Sequence, residues 1–211
     1  GSEDGKKWIP AEVDVSIRPG WFYHKQEDSL VKSPERLFEI YLSSVGRGAV
    51  LLLNVPPDQR GLFNEHDVKS LQGFRQMLDK EFKVNLAKSA RAKVSSFRGS
   101  DATYDASKVT DGKKDTYWTT DDNVVTGNVE IDLAKKQPVK YVAIQEYIRL
   151  GQRVKSFTIE AWQQDSWKEV AAGTTIGYKR ILKISPVETD KIRVNIKGAR
   201  ACPLISAVEV F

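Results

Sequence analysis

Trp8-Ile-Pro-Ala-Glu-Val-Asp-Val-Ser-Ile-Arg-Pro-Gly-Trp-Phe-Tyr-His24 and Ala49-Val-Leu-Leu-Leu-Asn-Val-Pro-Pro-Asp-Gln-Arg-Gly61 decide how this chain is read. Val13 to Ile17 alternates apolar and polar residues, the pattern of a strand with two unlike faces. Ala49 to Val55 is an apolar run that suits a strand covered on both faces. Between them, Ser33-Pro34-Glu35 offers an N-cap, a proline at the first helical position and an early acid. Leu37, Phe38, Tyr41, Leu42 and Val45 then share one helical face before Gly46 stops the helix. Asn64 caps a second helix, with Val68, Leu71, Phe74 and Leu78 on one face and Lys80 suited to its end. The order is strand, helix, strand, helix. Two such units alone leave sheet edges unpaired and apolar faces uncovered.

From Val84 the pattern changes to short β segments separated by turns, at 91–97, 128–133, 139–145, 154–162, 167–171, 178–184, 191–196 and 205–211. Eight strands and no convincing helix imply an all-β antiparallel sandwich. The expected division is therefore residues 1–82, an α/β part, and residues 83–211, an all-β module. Gly1-Ser2 reads as a remnant of cloning, and Glu3 to Lys7 as a surface loop.

The chain has 211 residues, 40% hydrophobic and 29% charged, the range of ordinary globular domains. Its net charge of +5 comes from 33 Lys and Arg mixed with 28 Asp and Glu. The basic pairs at 6–7, 113–114, 135–136 and 179–180 are scattered, so no nucleic-acid partner is expected. The longest unbroken apolar stretch, Ala49 to Leu53, is too short to cross a bilayer, and no membrane partner is expected either. Cys202 has no second cysteine with which to pair, and two histidines give no zinc spacing.

The two opening stretches resemble the end of the catalytic barrel in α-L-fucosidases of glycoside hydrolase family 29, especially bacterial members that cut branched fucosylated oligosaccharides. Asn85-Leu-Ala-Lys88, Ala106 to Trp118, Val129-Glu-Ile-Asp-Leu133 and Ile205 to Phe211 resemble the discoidin, or coagulation-factor type C, domain, equivalently a family 32 carbohydrate-binding module. The resemblance implies the last two βα units of a TIM-like barrel followed by a jelly-roll sandwich. It also implies a C-terminal portion of a retaining exo-α-L-fucosidase acting on a fucosylated oligosaccharide or glycan, with the N-terminal barrel portion missing, inactive alone, and periplasmic or secreted. A whole (β/α)₈ barrel needs roughly 250 residues. The alternative is a non-catalytic carbohydrate-binding or adhesion module, with residues 1–82 as a helical adaptor.

Retaining hydrolysis needs two carboxyl groups on opposite sides of the scissile bond. The resemblance implies that the nucleophile is an aspartate on an earlier strand and that, in the most similar subgroup, the acid/base glutamate also lies upstream; Glu12 is an acid/base candidate against a structural or substrate-orienting role, and Asp14, two residues on, can share its strand face. A ring beyond a barrel strand can pack on the C5 methyl and apolar face of a deoxy sugar, and Trp21 stands where the family places one. Arg18 and His24 are candidates to orient or hydrogen-bond sugar, each against the alternative of a salt bridge or loop brace. Asn54, followed by the Pro56-Pro57-Asp58 turn, reads as scaffold under the pocket. In the module, Lys108, Asp111, Lys113 and Thr116 match the calcium loop of discoidin-like domains and imply a structural calcium; the family's further ligand, a glutamate on the last strand, is replaced by Ala207. No cofactor is implied for catalysis. Glu146, Arg149, Gln152 and Arg153 make segment 145–154 dense in polar groups, which reads as a surface docked against the barrel with Arg149 or Arg153 bordering the substrate mouth.

Overall fold

The computed structural model describes residues 4–211. The expectations for Gly1-Ser2 and Glu3 lie outside the described residues. The chain forms two compact units, residues 10–84, and residues 85–211 together with the described residues up to Ile9. Trp8 and Ile9 thus go with the sandwich rather than with the α/β part, because the preceding segment is tied there: Arg200 donates to the Gly5 carbonyl, and Lys155 lies 3.6 Å from Asp4.

In residues 10–84 the order is β1 (Glu12–Ser16), α1 (Pro34–Ser43), β2 (Val50–Asn54) and α2 (Glu65–Phe82). The two strands are parallel, with Glu12 opposite Val50, Asp14 opposite Leu52 and Ser16 opposite Asn54. Both caps form as the sequence implies: Ser33 accepts from the Arg36 N–H at 3.3 Å, and Asn64 Oδ1 accepts from the His66 N–H at 3.0 Å. The stop after α1 is displaced. A 3₁₀ turn at Val45–Arg47 follows the helix, Gly46 is buried, and the left-handed residue is Gly48 at φ 81°. Phe38 stacks on Phe82 with ring centroids 5.8 Å apart, and Tyr41 meets Phe74 edge-on at 6.2 Å. Gly73 lets α2 approach the start of α1, since a Cβ there would lie 2.6 Å from Pro34 Cγ.

Val13 and Val15 are half-buried on one face of β1, whereas Glu12 and Asp14 are exposed on the other. Val50 and Leu52 continue that exposed face at 60% and 51% accessibility. The run at 49–55, read as a strand covered on both faces, is therefore covered on one within this unit.

The second unit contains β3 (Arg91–Val94), β4 (Trp118–Thr119), β5 (Gly127–Glu146), β6 (Val154–Gln163), β7 (Ser166–Gly173), β8 (Arg180–Ala199) and β9 (Leu204–Val210). They pair antiparallel in the order β4-β9-β5-β8-β6-β7, with β3 also on β5. The segments 128–133 and 139–145 are one long strand, as are 178–184 and 191–196. Polar residues that read as turns instead bend the paired strands at a register shift between Asp132 and Gln137, where Ala134 has φ 65° and donates to Asp132 Oδ1 at 2.9 Å. Both long strands run through this shift within one seven-stranded sheet. One apolar core results, with Trp118, Ile131, Ile144, Phe157, Ile192 and Ile205 at its centre. No α-helix occurs among the described residues of this unit, although short 3₁₀ turns do, at Arg98–Ser100, Ala102–Tyr104, Ala106–Val109 and Ile148–Leu150.

Candidate functional site

Side chains at the C-terminal ends of β1 and β2 hold the loop that follows β1 by its backbone. Ser16 Oγ donates to the Gly20 carbonyl at 2.7 Å, and Asn54 Nδ2 donates to the Trp21 carbonyl at 2.9 Å and to Ser16 Oγ at 3.2 Å. Lys32 Nζ donates to the carbonyls of Ser16 and Arg18 at 2.7 and 3.1 Å. Burial, together with the nearby Arg36 charge, pulls the Lys32 pKa below the usual lysine value.

Arg18 closes the loop from inside. Its side chain is wholly buried; Nε reaches Asp67 Oδ2 and Nη2 reaches Asp28 Oδ1, both at 3.0 Å, and Nη1 reaches the His24 carbonyl at 3.4 Å. Its guanidinium lies 4.6 Å from the centre of the Tyr23 ring. Burial opposes the charge, but the hydrogen bonds that Arg18 donates to Asp67 and Asp28 outweigh it and the Arg18 pKa is raised. Arg18 thus makes the salt-bridge and loop-brace contacts that stood as the alternative to orienting sugar: two carboxylates, a carbonyl and an aromatic face surround it. Asp28, Lys32 and Asp67 were not foreseen. Asp67 sits in the first turn of α2, where any acid suits the helix end, so nothing local distinguishes it.

On this braced loop Trp21 and Phe22 are 51% and 77% exposed. His24 is also exposed, and its carbonyl rather than its ring is held. Glu12 and Asp14 lie on the same face as Ser16 and Asn54, with Asp14 one pleat repeat below the loop. They come from one strand and approach any ligand from one side. The turn after β2 is rigid: Asp58 accepts from the Arg60 N–H and from its guanidinium, which holds the Asp58 pKa down, and Gly61 turns the chain at φ 76°. A cleft of about 480 Å³ in this unit is lined by Lys32, Ser33, Pro34, His66, Ser70 and Gly73 among others. None of Glu12, Asp14, Trp21 and His24 borders it.

In the sandwich, Asp111 accepts from the Lys113 N–H at 2.8 Å and from the Thr116 hydroxyl at 2.9 Å, with Gly112 at φ 73°. Lys108 is half-buried, 3.9 Å from Asp105. Among the described residues no group of three or more His, Cys, Asp and Glu side chains could hold a metal. The donors for calcium are one carboxylate, one hydroxyl and turn carbonyls. Ala207, opposite Gln145 on β5, supplies no oxygen from its side chain, and Glu209 lies 4.0 Å from Lys179. A hard dication wants six to eight oxygens, most of which the turn carbonyls would have to supply here.

Segment 145–154 uses its polar groups within its own module. Glu146 is 2% exposed; Oε1 accepts the N–H groups of Arg153 and Val154 at 2.7 and 2.9 Å, and Oε2 accepts that of Gly177 at 2.7 Å. The Arg153 guanidinium donates to the carbonyl and sulfur of Cys202, both at 2.9 Å. Arg149 is exposed and pairs with Asp115 at 3.0 Å. The polar density of the segment thus has an account within the module: turn N–H groups and a carbonyl needed those partners.

Residues 91–210 match the F5/8 type C domain family, and residues 2–83 match the alpha-L-fucosidase family. The chain is 37% identical over 215 residues to Alpha-L-fucosidase 1 of Arabidopsis thaliana, covering all of this chain and 42% of that protein. The GH29 fucosidase of Ruminococcus gnavus solved in complex with fucose superimposes with a TM-score of 0.92 at 34% identity, covering all of this chain and 43% of that one. The crystal structure of SpGH29 gives 0.90 at 37% identity, with 46% of that chain covered. The chain thus spans less than half the length of these relatives.

Proposed function

The chain belongs to the α-L-fucosidase family, with an F5/8 type C domain in residues 91–210, and on that premise we propose that it forms part of a retaining exo-α-L-fucosidase releasing terminal fucose from glycans. Residues 10–84 supply one wall of the substrate site. Trp21 packs on the apolar face of the sugar, excluding water from it, and Asp14 and His24 hydrogen-bond its hydroxyls. The observation that carries this reading is the pair of exposed rings, Trp21 and Phe22, on a loop whose backbone is held from beneath by Ser16, Asn54 and Arg18. Large exposed rings on a braced loop gain nothing from folding and suit a ligand.

The two reacting carboxyl groups are assigned to residues outside these 211. Glu12 and Asp14 share one face of one strand, whereas retention requires groups on opposite sides of the bond. Glu12 and Asp14 therefore do not form that pair together, and Glu12 is assigned an orienting or structural role. In the α-L-fucosidase that contains this chain, Trp21→Ala removes stacking area worth about 1–3 kcal/mol, so kcat/KM on a fucosylated oligosaccharide falls by roughly five- to 150-fold. Thermal stability stays within about 0.5 kcal/mol, as for an ordinary surface substitution. Unchanged kcat/KM rejects the sugar-contact role.

A further inference from the structure

Trp21 has a half-exposed ring, yet the carbonyl of the same residue is pinned. The pin comes from another strand: Asn54 ends β2 and reaches 33 residues back to the loop after β1. Its amide has two N–H donors, and both are committed there, one to the Trp21 carbonyl at 2.9 Å and one to Ser16 Oγ at 3.2 Å. Receiving that second bond leaves the Ser16 hydroxyl proton free to donate to the Gly20 carbonyl at 2.7 Å. One side chain therefore fixes two successive carbonyls of the Gly20-Trp21 step, one directly and one through Ser16.

We propose that Asn54 is the positioning residue for the Trp21 ring, holding the backbone on which that ring meets the sugar. The inference rests on the sugar-contact role of Trp21. A half-exposed tryptophan on a free loop would lose both backbone and side-chain freedom when a ligand arrives; fixing its carbonyl beforehand leaves only the ring torsions to settle. Asn54→Asp keeps the shape of the side chain but replaces its donors with oxygens. The carboxylate then faces the Trp21 carbonyl, and the Ser16 hydroxyl turns towards it and releases Gly20.

The test is a double-mutant cycle in the α-L-fucosidase containing this chain, following fucose release from a branched fucosylated oligosaccharide. Asn54→Asp is expected to raise KM by about three- to tenfold with a smaller change in kcat, the loss of roughly one hydrogen bond's worth of organisation. In a Trp21→Ala background the same substitution should change kcat/KM by less than about twofold, because the ring it positions is gone. An equal loss in both backgrounds overturns the proposal. If Trp21→Ala alone leaves kcat/KM unchanged, the sugar-contact reading fails instead, and acrylamide quenching of Trp21 fluorescence, taken as the difference from Trp21→Phe, decides the positioning role. Asn54→Asp should increase that quenching; no change overturns the proposal. Should Asn54→Asp not fold, Asn54→Ala takes its place in both measurements.

Discussion

Arg18 shows how much one residue's neighbours decide its role. An arginine before Pro-Gly at the end of a strand can face a ligand or brace the loop, and here it is wholly buried between Asp28 and Asp67 and stacks on Tyr23. Removing one member of such a cluster leaves the others buried and uncompensated. Arg18→Met is therefore expected to cost about 3–5 kcal/mol of stability, read by urea unfolding. A cost below about 1 kcal/mol would mean that solvent reaches the carboxylates. Trp21 is a candidate legible at this scale, from its place after a strand end and from the family resemblance. Its supports are not, because Asp67 lies 49 residues from Arg18 and its position in the first turn of a helix looks ordinary.

Among the elements, the loops at one end of the sandwich depend on Glu146, whose carboxylate gathers N–H groups from Arg153, Val154 and Gly177. Burial is the largest influence on this group and raises its pKa, despite those three donors and the Arg153 charge. Glutamine can accept through only one atom and turns an N–H₂ group towards a backbone N–H. Glu146→Gln is expected to lose about 1–3 kcal/mol at pH 7. The pH dependence has a definite sign. Between the unfolded carboxyl value near 4.3 and the raised folded value, the folded state holds the proton and the unfolded state does not. The Glu146 contribution is thus fully present below about pH 4.3 and is lost as pH rises through the folded pKa. Acidification should widen the stability gap between wild type and Glu146→Gln, measured by paired urea titrations at pH 7 and 4.5; a narrowing gap contradicts the raised pKa. At the Asp111 turn, millimolar calcium and chelator should give the same melting temperature, since the set lacks the carboxylate that Ala207 replaces. A calcium-dependent rise would mean that oxygens from elsewhere complete the cage.

For the whole molecule, Glu12 and Asp14 share an open sheet face with Val50 and Leu52, and no opposing carboxyl is assigned in this chain. The 211 residues by themselves are therefore expected to release no fucose from an aryl α-L-fucoside or an oligosaccharide. Turnover abolished by Glu12→Gln or Asp14→Asn would place the catalytic pair here and overturn that assignment.

What the sequence determined by itself was whatever repeats within a few residues. The caps at Ser33 and Asn64, the alternation in β1 and the sandwich after Val84 all follow from local pattern. The tertiary structure alone decided that 128–133 and 139–145 are one bent strand, that Gly48 rather than Gly46 ends the first helical segment, and that Arg18, Glu146 and Arg153 serve their own units. The physical reason is the same in each case. Periodicity and capping are set by neighbours in sequence, whereas a buried charge or a bent strand takes its role from partners tens of residues away, and those pairings leave no mark in local composition.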